Sequence, residues 1–98
     1  MKLSDLFTAV KEENLSKDNL EKYYSELTYL SAQMELSIAD LEKEEAIFLD
    51  TSLEETDVAK KRKWKITESW QRLITLKGQI KATDKMRASV KNRLYQIY

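Results

Sequence analysis

The sequence contains no cysteine, no proline, no histidine and a single glycine among its 98 residues. Proline and glycine usually make up about 5% and 7% of a chain, so little remains here to punctuate strands or long loops. The lack of cysteine excludes disulfides and thiolate metal sites and is compatible with the cytoplasm. The lack of histidine removes the commonest general base and the commonest metal ligand. These absences favour an all-α chain that is not an enzyme, without catalytic residues, cofactor or metal.

Long apolar runs are also missing, and the N-terminus lacks the basic-then-apolar layout of a secretion signal. We therefore expect no membrane segment and a cytoplasmic location. A single glycine excludes the glycine-rich loops that hold phosphates or dinucleotides. Accordingly, no small-molecule substrate is expected.

Apolar residues recur at steps of three and four over residues 15–49, which is typical of one face of an α-helix. This apolar stripe comprises Leu20, Tyr23, Leu27, Leu30, Met34, Ile38, Leu41 and Phe48. Ser16 is a candidate N-cap, and Leu15 with Leu20 forms a candidate hydrophobic staple. The pattern predicts a long acidic helix over residues 16–50.

The spacing in this stripe departs from a strict heptad repeat. A strict heptad repeat that includes Leu30 would next place Ser37 and Glu44 on the buried face. The apolar residues in this region are instead Ile38 and Leu41. The step from Met34 to Ile38 is four residues, where the repeat requires three. This step predicts a local change in the phase of the heptad repeat, and therefore a helix pair that is nearly straight.

The second half predicts a basic helix over residues 56–97, with a weaker apolar pattern at Thr83 and Arg87. Its apolar stripe comprises Val58, Ile66, Trp70, Leu73, Leu76, Ile80, Val90, Leu94 and Ile97. The preceding turn is placed at residues 50–56, where three residues compete as N-cap, namely Thr51, Ser52 and Thr56. Thr67 begins a second cap-like segment, and Gly78 lowers helix propensity by about 1 kcal/mol relative to alanine. The helix is therefore expected to bend near residues 66–70 or at Gly78.

Residues 1–14 contain a short amphipathic piece with Ser4 as its expected N-cap. Its apolar residues are Leu6, Phe7 and Val10. Because short connections join antiparallel neighbours, residues 1–98 are predicted to form a single helical domain. The expected architecture is an antiparallel, coiled-coil-like two-helix hairpin with a short N-terminal helix.

Charge divides the chain into two halves of opposite sign. Residues 1–57 hold 5 lysines and 15 acidic residues, a net charge of −10, and residues 58–98 hold 12 basic and 2 acidic residues, a net charge of +10. A hairpin is expected to place Glu45 near residues 60–63, Asp40 near Lys65 and Glu26 near Lys81. Each exposed pair contributes only ~0.2–1 kcal/mol, so the charges select orientation while apolar burial stabilises the fold.

A basic cluster with an embedded indole is the strongest local signal for binding. It comprises Lys60, Lys61, Arg62, Lys63, Trp64 and Lys65. Clustered cations release counterions on contacting phosphates, and an indole can stack on a base. The alternative is that these cations pair with the acidic helix and that Trp64 packs beside the turn.

An acidic set on the first helix is a second candidate surface, for a protein partner. It comprises Glu35, Asp40, Glu42 and Glu44. These carboxylates could imitate a phosphate backbone and occupy a nucleic-acid-binding protein; alternatively, they are a solvated helix face. Aromatic residues outside the main stripe are further candidates for an interface, namely Phe7, Tyr24, Tyr29, Trp64, Tyr95 and Tyr98. A homodimer is a third option, because a two-helix hairpin has a thin core.

Residues 58–65, followed by Thr67, residues 71–74, Leu76, Lys77 and Leu94, resemble a group of small uncharacterised proteins of bacteriophages and prophages. The likeness covers mainly residues 58–98 and includes the run at residues 41–46. In that group a basic segment with tryptophan leads into a Thr-Pro-Glu-Gly-type cap and a leucine-rich helix, whereas this chain has Glu68 and Trp70 at the proline and glycine positions. The resemblance implies a phage origin and a host-cytoplasmic location, and it supplies no activity and no functional residues.

Taken together, these features predict a non-enzymatic phage accessory protein that binds a partner protein. The partner would belong to a host defence, such as a CRISPR-type system, or to the replication and recombination machinery. The alternative is a nucleic-acid-binding module that uses the basic second helix.

Overall fold

A computed structural model describes residues 2–12, 14–53 and 56–97 of the chain, with the side chain of Ile97 excepted. Within these ranges the protein has four helices and no strand: α1 (Leu3–Val10), α2 (Lys17–Thr51), α3 (Asp57–Lys65) and α4 (Glu68–Ile97). The all-α prediction is therefore confirmed. The molecule is a rod of 59 × 20 × 17 Å, because the 35-residue α2 and the 30-residue α4 lie side by side. The middle of the predicted turn (residues 54 and 55) and Tyr98 lie outside the described residues.

Side-chain caps begin two of the helices where the sequence predicts them. The Ser16 hydroxyl accepts a hydrogen bond from the Asn19 amide at 3.2 Å and begins α2. Of the three competing caps before α3, the structure uses Thr56, whose hydroxyl accepts from the Ala59 amide at 3.2 Å. The predicted short helix within residues 1–14 is present as α1, but its predicted N-cap is wrong. This helix begins one residue earlier than Ser4 and has no side-chain cap, and the Ser4 carbonyl instead accepts from the Thr8 hydroxyl.

The basic half is two helices, separated at Ile66 and Thr67 inside the predicted kink region. The Thr67 hydroxyl donates to the Trp64 carbonyl at 2.6 Å and accepts from the Trp70 amide at 3.2 Å. One side chain therefore closes α3 and caps α4, which explains why one helix ends and the next begins at this point.

The buried face of α2 keeps a strict heptad, contrary to the expected change of phase. Leu20, Leu27, Met34 and Leu41 are buried at intervals of seven residues. The second position of the repeat is Ser31, which is 2% exposed and lies seven residues before Ile38. Because Ser31 is polar, the apolar pattern suggested its half-buried neighbour Leu30 instead.

Polar side chains also occupy the facing seam of α4. Thr83 is fully buried, and its hydroxyl donates to the Gln79 carbonyl at 2.7 Å and lies 4.0 Å from the Met34 sulfur. The Ser31 hydroxyl donates to Asp84 at 3.0 Å. These bonds satisfy the buried hydroxyls, so polar residues are tolerated where the apolar pattern weakens.

The main core lies at the end of the rod where α1 packs against α2 and α4. Its buried residues are Leu6, Val10, Leu20, Leu27 and Val90. The Arg93 guanidinium donates to the Val10 and Glu12 carbonyls at 2.6 and 2.7 Å. The cation therefore satisfies backbone carbonyls at and just beyond the end of α1, where the helix dipole favours positive charge.

Candidate interaction surfaces

The predicted basic cluster forms most of α3. Spacings of three and four residues place Val58, Lys61, Arg62 and Lys65 on one face of this helix, and all four are exposed. Lys60 is half-buried, whereas Lys63 is exposed. The last turn of α3 holds Arg62, Lys63 and Lys65, and cations at this end of a helix are compatible with its dipole.

Trp64 does not belong to this exposed face. Its side chain is 3% exposed, and its ring packs on Phe48 with a centroid distance of 5.4 Å. The base stacking expected of Trp64 needs an accessible ring face, which the structure does not provide. The structure instead shows Trp64 packed beside the turn, which is the alternative that the sequence left open for this residue.

The expected charge register between the two halves is wrong. Glu42 lies 3.6 Å from Lys77, and Glu44 accepts a hydrogen bond from Ser69 at 2.6 Å. The sequence placed Glu26 near Lys81, so α4 is shifted along α2 by roughly two to three helical turns from the expected register. The break after α3 explains the shift, because the basic cluster belongs to a separate helix and pairing with α4 begins only after it.

The four carboxylates of the predicted acidic set do not share one surface. Glu42 and Glu44 are turned towards α4 by the contacts just described. Glu35 is exposed on the same side of α2 as Glu42, seven residues away, whereas Asp40 is exposed on the side of α2 that faces away from α4. Only Asp40 therefore remains on the outward side of the helix.

The outward side of α2 carries a second apolar stripe. Its large apolar members are Tyr29, Leu36 and Ile47, which are 62%, 69% and 64% exposed. Together with Gln33, Asp40 and Lys43 they recur at steps of four and three residues and so share one helix face. Leu36 lies two residues after the buried Met34, so the two side chains point about 200° apart around the helix axis. We call Tyr29, Leu36 and Ile47 the outer stripe.

The outer stripe spans about 27 Å at the helical rise per residue. The Gln33 amide donates to the Tyr29 hydroxyl at 2.9 Å, which ties the phenol to the helix surface. Sequence reasoning singled out Tyr29 but missed the stripe, because it assigned one apolar face to this helix. The signal was present in the intervals of 7 and 11 residues between the three side chains.

The remaining aromatic candidates divide between core and surface. Phe7 and Tyr24 are half-buried against the core cluster. Tyr95 is 66% exposed, with the Lys91 ammonium 5.8 Å from its ring centroid. A groove of about 420 Å³ beside Phe7 and Met86 lies between α1 and α4. None of these places gathers several exposed large apolar side chains on one helix face as the outer stripe does.

Among residues 2–12, 14–53 and 56–97, no three potential metal-ligand side chains group together. No helix in the same ranges combines the length and apolar content needed to cross a bilayer.

Comparison of the chain with models of protein families, with curated proteins and with solved structures finds no match. The resemblance to small phage proteins over residues 58–98 therefore stays a prediction.

Proposed function

We propose that this chain is a non-enzymatic accessory protein that binds and modulates a partner protein through the outer stripe of α2. The observation that carries the proposal is three large apolar side chains, each more than 60% exposed, on the face of α2 opposite its buried seam. Scattered exposed apolar residues are normal, whereas an aligned group with a polar surround is typical of an interface. Tyrosine is also a favoured interface anchor.

The charge of α2 defines the chemistry of the partner. The helix carries nine acidic residues and three lysines, and Asp40 and Lys43 lie on the same helix face as the outer stripe. A partner should therefore present an apolar strip with a basic rim. Such surfaces occur on proteins that bind nucleic acid, so α2 would occupy a site meant for a phosphate backbone.

An antiparallel, coiled-coil-like hairpin of α2 and α4 is the rigid platform in this proposal. Its support is the order of contacts, because Ser31, Glu42 and Glu44 of α2 meet progressively earlier residues of α4. A helix held along its length by a neighbour presents its outward side chains at fixed spacing, which lowers the entropic cost of docking.

The phage resemblance narrows the biological setting. In the cytoplasm of a host cell, the partner would be a defence component, such as a nucleic-acid-binding subunit of a CRISPR-type system, or a replication or recombination protein. The protein would then act as an anti-defence inhibitor or as a modulator of replication.

Affinity capture with a matched pair of variants tests the proposal. Leu36→Glu with Ile47→Glu should abolish capture of host proteins that the wild type retains, while circular dichroism and melting temperature stay unchanged. Leu53→Glu is the control, because Leu53 is 98% exposed and lies outside the outer stripe. If the double variant captures the same proteins as the wild type, the outer stripe is not the docking surface.

Competition then tests the chemistry of the partner. A captured nucleic-acid-binding protein should be released by an excess of oligonucleotide, since both ligands would occupy its basic site. Light scattering of the purified protein tests whether the outer stripe instead binds a second copy of the same chain. A wild-type dimer that Leu36→Glu converts to monomer would assign the outer stripe to self-association.

A further inference from the structure

The outward face of α4 differs in chemistry from that of α2. Steps of four, three and four residues place Ile74, Gly78, Lys81 and Lys85 on one side of the helix, and all four are exposed. This side points away from the buried residues Leu73, Thr83 and Val90. We call these four residues the outer face of α4.

The two lysines of this face lack an acidic partner among the residues that the structure describes. In the described ranges, neither Lys81 nor Lys85 has a carboxylate within ion-pair distance. The helix contains only two acidic residues, Glu68 and Asp84. Asp84 accepts from Ser31 and lies 3.7 Å from Arg87, which holds its charge near the seam. The outer face therefore keeps an uncompensated positive charge.

Gly78 leaves the backbone of this face uncovered. A Cβ placed on Gly78 would meet nothing within 4 Å, so no contact inside the molecule requires a glycine there. A glycine in a helix interior costs about 1 kcal/mol relative to alanine. A residue with this cost and no internal purpose fits a position where another chain approaches the helix backbone closely.

We propose that the outer face of α4 binds the phosphate backbone of a nucleic acid without reading its bases. Lys81 and Lys85 are about 6 Å apart along the helix axis, and phosphates of one strand of a duplex are spaced 3.4 Å along its axis. Two flexible ammonium groups at this separation can reach nearby phosphates of the same strand. Gly78, one turn away, lets the sugar-phosphate chain approach the helix.

A polyanion fits this face better than a protein does. The outer face has no exposed aromatic anchor, and its one large apolar residue, Ile74, is 47% exposed. Protein interfaces depend on aromatic and apolar anchors, whereas phosphate contacts need only cations and access.

The acidic residues of α2 do not prevent this contact. The rod is 20 Å across in its wider transverse dimension, and the Debye length is about 8 Å at 0.15 M salt. A phosphate on the outer face of α4 is therefore largely screened from carboxylates on the far side of α2. The two outward faces can act independently, so this inference does not rest on the proposed protein partner.

Fluorescence anisotropy with a labelled 20-nucleotide DNA, single-stranded and duplex, tests the proposal. Two phosphate contacts on duplex predict that affinity falls about twelvefold between 50 and 200 mM KCl, a slope of about −1.8 in log–log form. Lys81→Gln with Lys85→Gln should make this slope shallower by about 1.8. Lys22→Gln with Lys43→Gln removes the same charge from the exposed side of α2 and should leave the slope unchanged.

Gly78→Met separates binding from stability. Methionine is a good helix former, so the variant should melt at a higher temperature than the wild type. It should nevertheless bind DNA more weakly, because its side chain occupies the path of the phosphate backbone. No binding of either DNA at 50 mM KCl, or a lysine double variant with the wild-type slope, would overturn the proposal. Sedimentation with phosphatidylserine vesicles in the absence of DNA binding would also overturn it, in favour of a membrane surface.

Discussion

Trp64 combines close packing with an unsatisfied polar atom. Its ring packs on Phe48, and its indole nitrogen is buried without a hydrogen-bond acceptor among the described residues. A buried donor without a partner costs about 1–3 kcal/mol. Trp64 therefore stabilises the fold through the buried apolar area of its ring and not through its N–H donor.

This predicts different outcomes for two substitutions of Trp64. Trp64→Ala should lower the free energy of unfolding by about 3–5 kcal/mol. Trp64→Phe should cost less than about 1.5 kcal/mol, because most packing stays and the unsatisfied donor is removed. Urea unfolding followed by circular dichroism measures both. Equal losses in the two variants would show that the indole nitrogen does bond to an acceptor.

Gly78 is predicted to be a local weakness in the isolated protein. Since a Cβ there meets nothing within 4 Å, Gly78→Ala should stabilise the chain by about 1 kcal/mol. For a domain of this size the melting temperature should rise by about 4–8 °C. Ala82→Gly, at another exposed position of α4, is the reverse control and should lower it by a similar amount. An unchanged melting temperature for Gly78→Ala would contradict the view that this position is open.

At the scale of elements, α1 depends on contacts outside itself. Eight residues are too few for a stable isolated helix, so Leu6 and Val10 must dock on α2 and α4 while Arg93 holds the carbonyls of Val10 and Glu12. Sequence reasoning recognised the apolar residues of this piece but did not identify Arg93. The residue lies more than 80 positions away along the chain.

Arg93→Met should release α1 without unfolding the rest. The loss of two charged hydrogen bonds should cost about 1–3 kcal/mol and should increase hydrogen exchange of the α1 amides, while amides in the middle of α2 and α4 stay protected. Arg93→Lys should only partly restore protection, because an ammonium lacks the planar fork that reaches two carbonyls. Lys91→Met is the control on the same helix. Equal loss of protection throughout the protein would mean that α1 unfolds only with the whole molecule.

At the scale of the whole molecule, α2 has two apolar faces, one buried in the core and one exposed to solvent. Leu27 is fully buried in the core cluster, whereas Leu36 is 69% exposed on the outer stripe. The same substitution on the two faces therefore distinguishes folding from surface chemistry.

Leu27→Asp should unfold the protein, because an unpaired buried carboxylate costs several kcal/mol against a total stability of about 5–15 kcal/mol. Leu36→Asp should keep the helical circular dichroism signal and lower the melting temperature by only a few degrees, since the side chain stays in water. Thermal melts of both variants check the prediction. A Leu27→Asp variant with wild-type melting behaviour would mean that the core is assigned to the wrong face.

Local features of this protein were readable from the sequence. The all-α class follows from composition and periodicity. Ser16 and Thr67 were recognised as helix starts, and Thr56 as one of three candidates, because a cap bonds to an amide only three residues away. Ser4 failed as a cap because α1 is held by tertiary contacts, which let its N-cap position fall at Lys2, two residues earlier.

The tertiary structure alone decided the register, the membership of the seam and the surfaces left exposed. Ser31 and Asp84, or Glu42 and Lys77, are far apart in sequence, and exposed charge pairs differ too little in energy for composition to choose among registers. Polar residues are tolerated in the seam because each buried hydroxyl forms a hydrogen bond, either to a residue across the seam or to a carbonyl one helical turn away. The sequence by itself thus determined where helices form, since that depends on residues three or four apart. Packing of α2 against α4 decided which faces meet and which remain free to bind another molecule.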